Sequence, residues 1–148
     1  MRAVGTALTI TLIAASTASL IAATPYVRLS QANWVAALTG KDGRKVTGKA
    51  TAAPTADGTG TVVTVSFEGD TPGATRPWHV HTGSCAKSGG VVGGGRVYTP
   101  LAVDAKGQAS GKATLAVPLA DTTTYYVNIH DSAAAMGIIV ACGDLAKR

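Results

Sequence analysis

Aromatic side chains are scarce in this chain: one Phe, two Trp and four Tyr, or 5% of the sequence. A core must then be built mainly from Val, Leu, Ile and Ala, and a core of that modest kind gains from a covalent staple. Charge is thin as well. Charged residues are 14% against 46% hydrophobic residues, a balance that excludes intrinsic disorder. The cations are scattered, with Lys41, Arg44, Lys45 and Lys49 in one region and Arg76, Lys87 and Arg96 in another. Neither region forms a basic helix or an aromatic ladder, so nucleic acid is not an expected partner and these groups read as solvated faces. Helical periodicity is nearly absent beyond the N-terminal segment, and there is no internal repeat or low-complexity linker. The Gly-rich stretch 89–95, GGVVGGG, lacks the Lys and the strand-to-helix setting of a phosphate-binding loop and reads as a flexible connection. Only three His and two Cys occur in the whole chain.

The N-terminal segment has the shape of a secretory signal. Arg2 precedes an uncharged run over 3–23, small residues crowd the end of that run, and Thr24-Pro25 follows. The expected division is a signal peptide over 1–23 and one mature domain over 24–148, secreted or periplasmic and free of the membrane after cleavage. An uncleaved anchor is the alternative, because the run is long enough to span a bilayer, but its Thr and Ser residues weigh against it.

Across the mature part, short β-prone runs alternate with turn residues. Expected strands are 33–39, 45–54, 61–68, 76–82, 112–119, 124–130 and 137–143, with a Gly-rich loop over 83–95. Seven or eight such strands predict an all-β antiparallel sandwich or barrel. In an exported protein Cys85 and Cys142 have one intramolecular pairing open to them, and a bridge closing so long a loop contributes about 4 kcal/mol in the chain-entropy model. Two buried free thiols are the alternative for a reducing compartment.

His79 and His81 stand two apart on a predicted strand, which puts both on one face with Cα atoms roughly 6.6 Å apart and turns Val80 into the core. His130 closes the run YYVNIH twelve residues before Cys142, while His81 lies four before Cys85. A Cys85–Cys142 bridge would therefore bring the two histidine strands together. Neutral imidazole suits Cu, Zn, Fe and Ni, and three imidazoles leave a position open for water or substrate. The competing reading is three hydrogen-bonded histidines at strand ends with no ion.

At these residues the chain resembles the Cu,Zn superoxide dismutase family, over about 33–145. The motifs that carry the resemblance are WHVHTGSC (78–85), YTPLAVDAKGQASG (98–111), YYVNIHDS (125–132) and IVACGDL (139–145). The resemblance implies a Greek-key β-sandwich, one copper per chain held by His79, His81 and His130, an intrasubunit Cys85–Cys142 disulfide, and superoxide as substrate. A homodimer is a further possibility it raises. The departures are specific. Val97 stands where the family has its histidine bridging copper and zinc, and no histidine occurs from 82 to 129, so no zinc is expected. Ile139 replaces the Arg that guides superoxide. Arg76, Lys87 and Arg96 are then the candidates for a positive steering field, Met136 for a soft sulfur toward Cu(I) or a packing residue, and Asp131 for a partner of His130 or an exposed loop residue.

Three functions compete on this reading. One is an exported copper-only protein converting superoxide to O2 and H2O2. Another is a non-catalytic protein that binds or buffers copper ions. The last is a metal-free structural or adhesive sandwich, since fold alone does not decide function.

Overall fold

The computed structural model describes Met1 and residues 34–148. The expected signal peptide over 1–23, its cleavage zone and Asn33 at the start of the first expected strand lie outside the described residues.

Among the described residues ten strands follow in chain order: β1 (Trp34–Gly40), β2 (Thr47–Pro54), β3 (Thr61–Glu68), β4 (Thr75–Arg76), β5 (Trp78–Ser84), β6 (Lys87–Val91), β7 (Leu101–Ala102), β8 (Ala109–Leu115), β9 (Tyr125–His130) and β10 (Ile139–Lys147). A single 3-10 turn, Gly95–Val97, is the only helical piece among the described residues. Eight strands form one antiparallel sheet in the order β6-β5-β9-β10-β1-β2-β3-β8, and β4 and β7 pair separately. The chain crosses from β3 to β5, back from β6 to β8, and again from β8 to β9. Such long connections between non-neighbouring antiparallel strands are Greek-key connections.

Alternation in the sequence explains the strands. In β3, Val63, Val65 and Phe67 are buried while Thr64 and Glu68 face out. Their β-branched and aromatic side chains suit a pleated, half-buried surface. Ala50 and Ala52 of β2 and Ala36 and Leu38 of β1 extend the same buried face. The sheet curls until edge strand β8 approaches β5, next to the opposite edge: a Cβ built on Gly111 of β8 would meet Leu101 Cδ2 and lie 3.9 Å from Trp78 Nε1 of β5. A side chain there would have to push the Leu101 tip aside. The two inner faces thereby share one core, as sandwich packing requires.

The core is built mainly from Val, Leu, Ile and Ala, as expected, but two other expectations need correction and the few aromatics also count: all six described ones, Trp34, Phe67, Trp78, Tyr98, Tyr125 and Tyr126, are buried. Each removes far more area from water than an Ala or Val, so a small core uses every one it has. The stretch 83–95 is not one loose connection. Lys87–Val91 is an edge strand paired to β5, and Cys85-Ala86 form the two-residue turn between Ser84 and Lys87. Gly83, at φ +99°, supplies the irregular step in that pairing. A Gly run carries no alternation, so its strand character comes from the partner rather than from propensity. Boundaries also move. β8 begins at Ala109 and stops before Val117-Pro118, and β10 runs on to Lys147.

Cys85 and Cys142 are bonded, with Cα atoms 5.9 Å apart and a sequence separation of 57. The bridge joins the β5–β6 turn to β10, with β9 lying between β5 and β10 in the sheet.

Candidate metal centre

β5 and β9 carry the three histidines. Their register pairs His79 with Asn128, Val80 with Val127 and His81 with Tyr126. Directly opposed residues share a face and alternate residues share it too, so His79, His81, Tyr126, Asn128 and His130 all lie on the face opposite Val80, Val127 and Ile129. Val80, Val127 and Ile129 are fully buried in the core. Every residue of β9 is nonetheless buried, because the Gly-rich segment and the 131–138 loop cover the outer face.

The three imidazoles meet. One ring nitrogen of each lies within 4.8 Å of the other two, the only cluster of this kind among the described residues. Nitrogens sharing one ion at bond lengths of ~2.0–2.1 Å sit about 3–4 Å apart, so a small inward adjustment closes the set on a single metal.

Hydrogen bonds decide which nitrogens face inward. His130 Nδ1 lies 2.5 Å from the Met136 carbonyl, and His81 Nδ1 lies 3.0 Å from the Gly89 carbonyl. A carbonyl can only accept, so each Nδ1 carries the proton and each Nε2 keeps a lone pair. His81 Nε2 is buried and has no partner among the described residues. His130 Nε2 lies 3.1 Å from His79 Nδ1. With His130 protonated on Nδ1, the hydrogen in that contact comes from His79 Nδ1. An ion at this point would displace it and move the His79 proton to Nε2, on the side where a Cβ built on Gly95 would come within 3.6 Å of that nitrogen. The donor set is therefore Nδ1 of His79 with Nε2 of His81 and His130.

Burial lowers the His79 pKa to about 4, with smaller pushes from His130 and His81. Burial likewise lowers that of His130, against the bond to Met136. Both rings are neutral at pH 7, the form in which imidazole binds a metal. Aromatics frame the set: the Tyr126 ring stacks on His81 at 5.1 Å, and Tyr98 stands edge-on to His79 at 5.2 Å. Burial pushes the Tyr98 phenol up to about 12.

A cleft of about 400 Å³ reaches the site, lined by His81, His130, Tyr126, Asn128, Met136 and Ile139 among others, with Lys41 its one cationic lining residue. A larger hollow of about 670 Å³ lies over β2, β3 and β8, away from every histidine, and has no part in the site.

Several residues that the sequence offers for the site sit elsewhere. Arg76 is buried, not solvated, and is tied to Asp70 and Asp131, so it contributes no free field to the cleft. Lys87 and Arg96 are exposed and do not line it. Asp131 neither orients His130 through a side-chain bond nor hangs free; its carboxylate accepts from Arg44 and Arg76. The backbone carbonyl of Met136 is what holds His130. Val97 is exposed in the 3-10 turn and offers no donor atom. Ile139 lines the cleft as an apolar residue. Gly89, Tyr126 and Asn128 also belong to the site, and reading the sequence alone misses them. The period of two through Tyr126, Asn128 and His130 carries a signal for two of them, whereas nothing local marks Gly89.

Neither protein-family models nor curated protein sequences yield a match to this chain.

Proposed function

We propose that this chain is an exported, superoxide dismutase-like protein that binds one copper ion through His79, His81 and His130 and converts superoxide to O2 and H2O2. The single observation that carries the metal assignment is the buried, unpartnered His81 Nε2 converging with His79 Nδ1 and His130 Nε2. A buried lone pair without a donor costs about 1–3 kcal/mol, a cost that a bound cation removes. An all-imidazole set suits copper, zinc, iron or nickel; copper is preferred here from the sequence resemblance. The chain has no fourth histidine to build a second, bridged site. The disulfide accords with an oxidising compartment and so with export.

Bound copper supplies a one-electron couple through which two superoxide ions and two protons become O2 and H2O2. The residues of this chain do the rest. The Gly89 and Met136 carbonyls hold two rings in the metal-binding tautomer, Tyr126 and Tyr98 exclude water from the ring faces, and the cleft admits a small anion past Lys41. With Val97 in place of a proton-carrying imidazole, protons come from water in the cleft.

A second reading, a copper-binding protein without turnover, is favoured by one observation. Arg76 is locked in ion pairs and Ile139 is apolar, leaving Lys41 alone to attract an anion toward the site.

Metal analysis and Cu(II) paramagnetic resonance on the mature protein test the assignment. One copper per chain with nitrogen hyperfine structure, lost in His79→Ala, is the expected result. Pulse radiolysis separates the two copper readings: superoxide decay much faster than with His130→Ala supports the enzyme, and equal decay supports the binding protein. A protein that takes up no stoichiometric metal refutes both.

A further inference from the structure

Arg76 lies three residues before His79, and Asp131 directly follows His130. The Arg76 guanidinium spans the space between them. Its Nε and Nη2 donate to the two carboxylate oxygens of Asp70 at 2.7 and 2.8 Å. Its Nη1 donates to the Asp131 backbone carbonyl at 2.5 Å and to Asp131 Oδ1 at 3.2 Å. Arg44, from the turn between β1 and β2, donates Nη2 to the same Oδ1 at 2.9 Å. The Arg76 and Asp70 side chains are 7% and 3% exposed. A buried ion pair of this kind is a weak device for stability alone, because desolvation offsets most of its attraction. Arginine's planar fork, however, can hold two different segments in fixed orientation at once, which an ammonium cannot.

What Arg76 holds is the base of the loop that orients His130. The Asp131 amide donates to the Ile138 carbonyl at 2.9 Å, closing the 131–138 loop on itself. Within that loop the Met136 carbonyl faces His130 Nδ1. On the other side, the His130 amide donates to the Pro77 carbonyl at 2.8 Å, next in chain to Arg76. The guanidinium thus ties the start of the HVH strand to the loop that decides where the His130 proton resides.

We propose that Arg76 is a positioning residue of the metal centre: anchored on Asp70, it grips Asp131 and so keeps the Met136 carbonyl on His130 Nδ1 and the His130 Nε2 lone pair on the point shared with His79 and His81. This rests on reading the three histidines as a metal site. The Asp70 contact alone would be a structural anchor; the paired bonds to the carbonyl and carboxylate of Asp131 are what connect it to His130.

Asp131→Ala removes only the carboxylate part of the grip, leaving Arg76 on Asp70 and on the residue-131 backbone carbonyl, so the decisive variants are at Arg76. Arg76→Lys keeps the charge and loses the fork, and Asp131→Asn keeps an acceptor at Oδ1. Nitrogen-15 imidazole spectra of the metal-free proteins read the His130 tautomer, and competition titration reads Cu(II) affinity. In Arg76→Lys, with wild-type circular dichroism, His130 is expected to lose its single Nδ1–H tautomer and Cu(II) affinity to fall about tenfold, the scale seen when groups that orient metal ligands are removed. Asp131→Ala, which keeps the carbonyl bond, should show a smaller loss, and Asp131→Asn a smaller one still. Retention of the Nδ1–H tautomer and of wild-type affinity in folded Arg76→Lys overturns the proposal, and Arg76→Gln combined with Asp70→Asn decides if Arg76→Lys does not fold. A wild-type protein that takes no copper sinks the functional reading instead, and the tautomer in the metal-free variants then decides for or against the clamp.

Discussion

His79 Nδ1 and His130 Nε2 lie 3.1 Å apart in a buried contact, although they are 51 positions apart in the chain. Two neutral imidazoles at that distance can share one hydrogen or one metal ion, but not both. The metal-free and metal-loaded proteins must therefore differ in His79 tautomer. The contact exists because β5 and β9 are neighbours in the sheet, set there by the crossover from β8.

Removing any one of the three rings is expected to weaken metal binding severely. Groups that merely orient a metal ligand are worth 10–100-fold in affinity, so a ligand itself should be worth at least about 100-fold. Isothermal competition with a chelator on His79→Ala, His81→Ala and His130→Ala measures it. Near-wild-type affinity in any one would remove that residue from the set.

The metal-free protein should lose stability as pH falls from about neutrality toward 4. His79 has an ordinary value of 6.5 when unfolded and about 4 when folded. Between those values the unfolded chain binds the proton and the folded chain does not, so stability is full above 6.5 and declines down to about 4. His130, lowered too, adds in the same direction. Asp70 stays out of this window. Burial pushes its carboxyl up, but the hydrogen bonds from Arg76 and the Thr71 amide and the guanidinium charge outweigh that and hold it below its usual range. Urea midpoints from pH 7.5 to 4.5 should fall in wild type and fall less steeply in His79→Gln, with the remainder coming from His130.

Opening the disulfide by Cys85→Ser with Cys142→Ser should cost about 4 kcal/mol in chemical denaturation, from the entropy returned to an unfolded chain no longer closed over 57 positions. Because Cys85 sits in the turn that places Gly89 on His81, the metal affinity of the folded variant should drop as well. Unchanged stability would mean that the bridge constrains little in the unfolded chain.

Asn128→Leu should stabilise the metal-free protein. Asn128 is buried at 4% exposure, and its Oδ1 has no partner among the described residues. An apolar isostere removes that unmet acceptor and gains on the order of 1 kcal/mol. A lower thermal midpoint in Asn128→Leu would show that the carboxamide has a bonding role the cleft conceals.

The fold class is legible in the residues because alternation is a local property. The runs 61–68 and 124–130 state their own period, and β3 and β9 form there almost residue for residue. The face shared by His79 and His81 is equally legible, since two positions along a strand return to one side whatever the surroundings. Strand β6 is not, because glycines declare no face and acquire one only by pairing with β5. Nor is the fate of Arg76. Its charge is visible in the chain, but whether a cation meets water or a buried carboxylate depends on where Asp70 and Asp131 are carried. The order of residues thus dictates most of the strands, the types of ligand and the pairing open to two cysteines. Folding in three dimensions settles that the histidines converge, which nitrogen of each turns inward, and which backbone carbonyls hold them. Those are relations between atoms far apart along the chain, and no local pattern encodes a distance across a sheet.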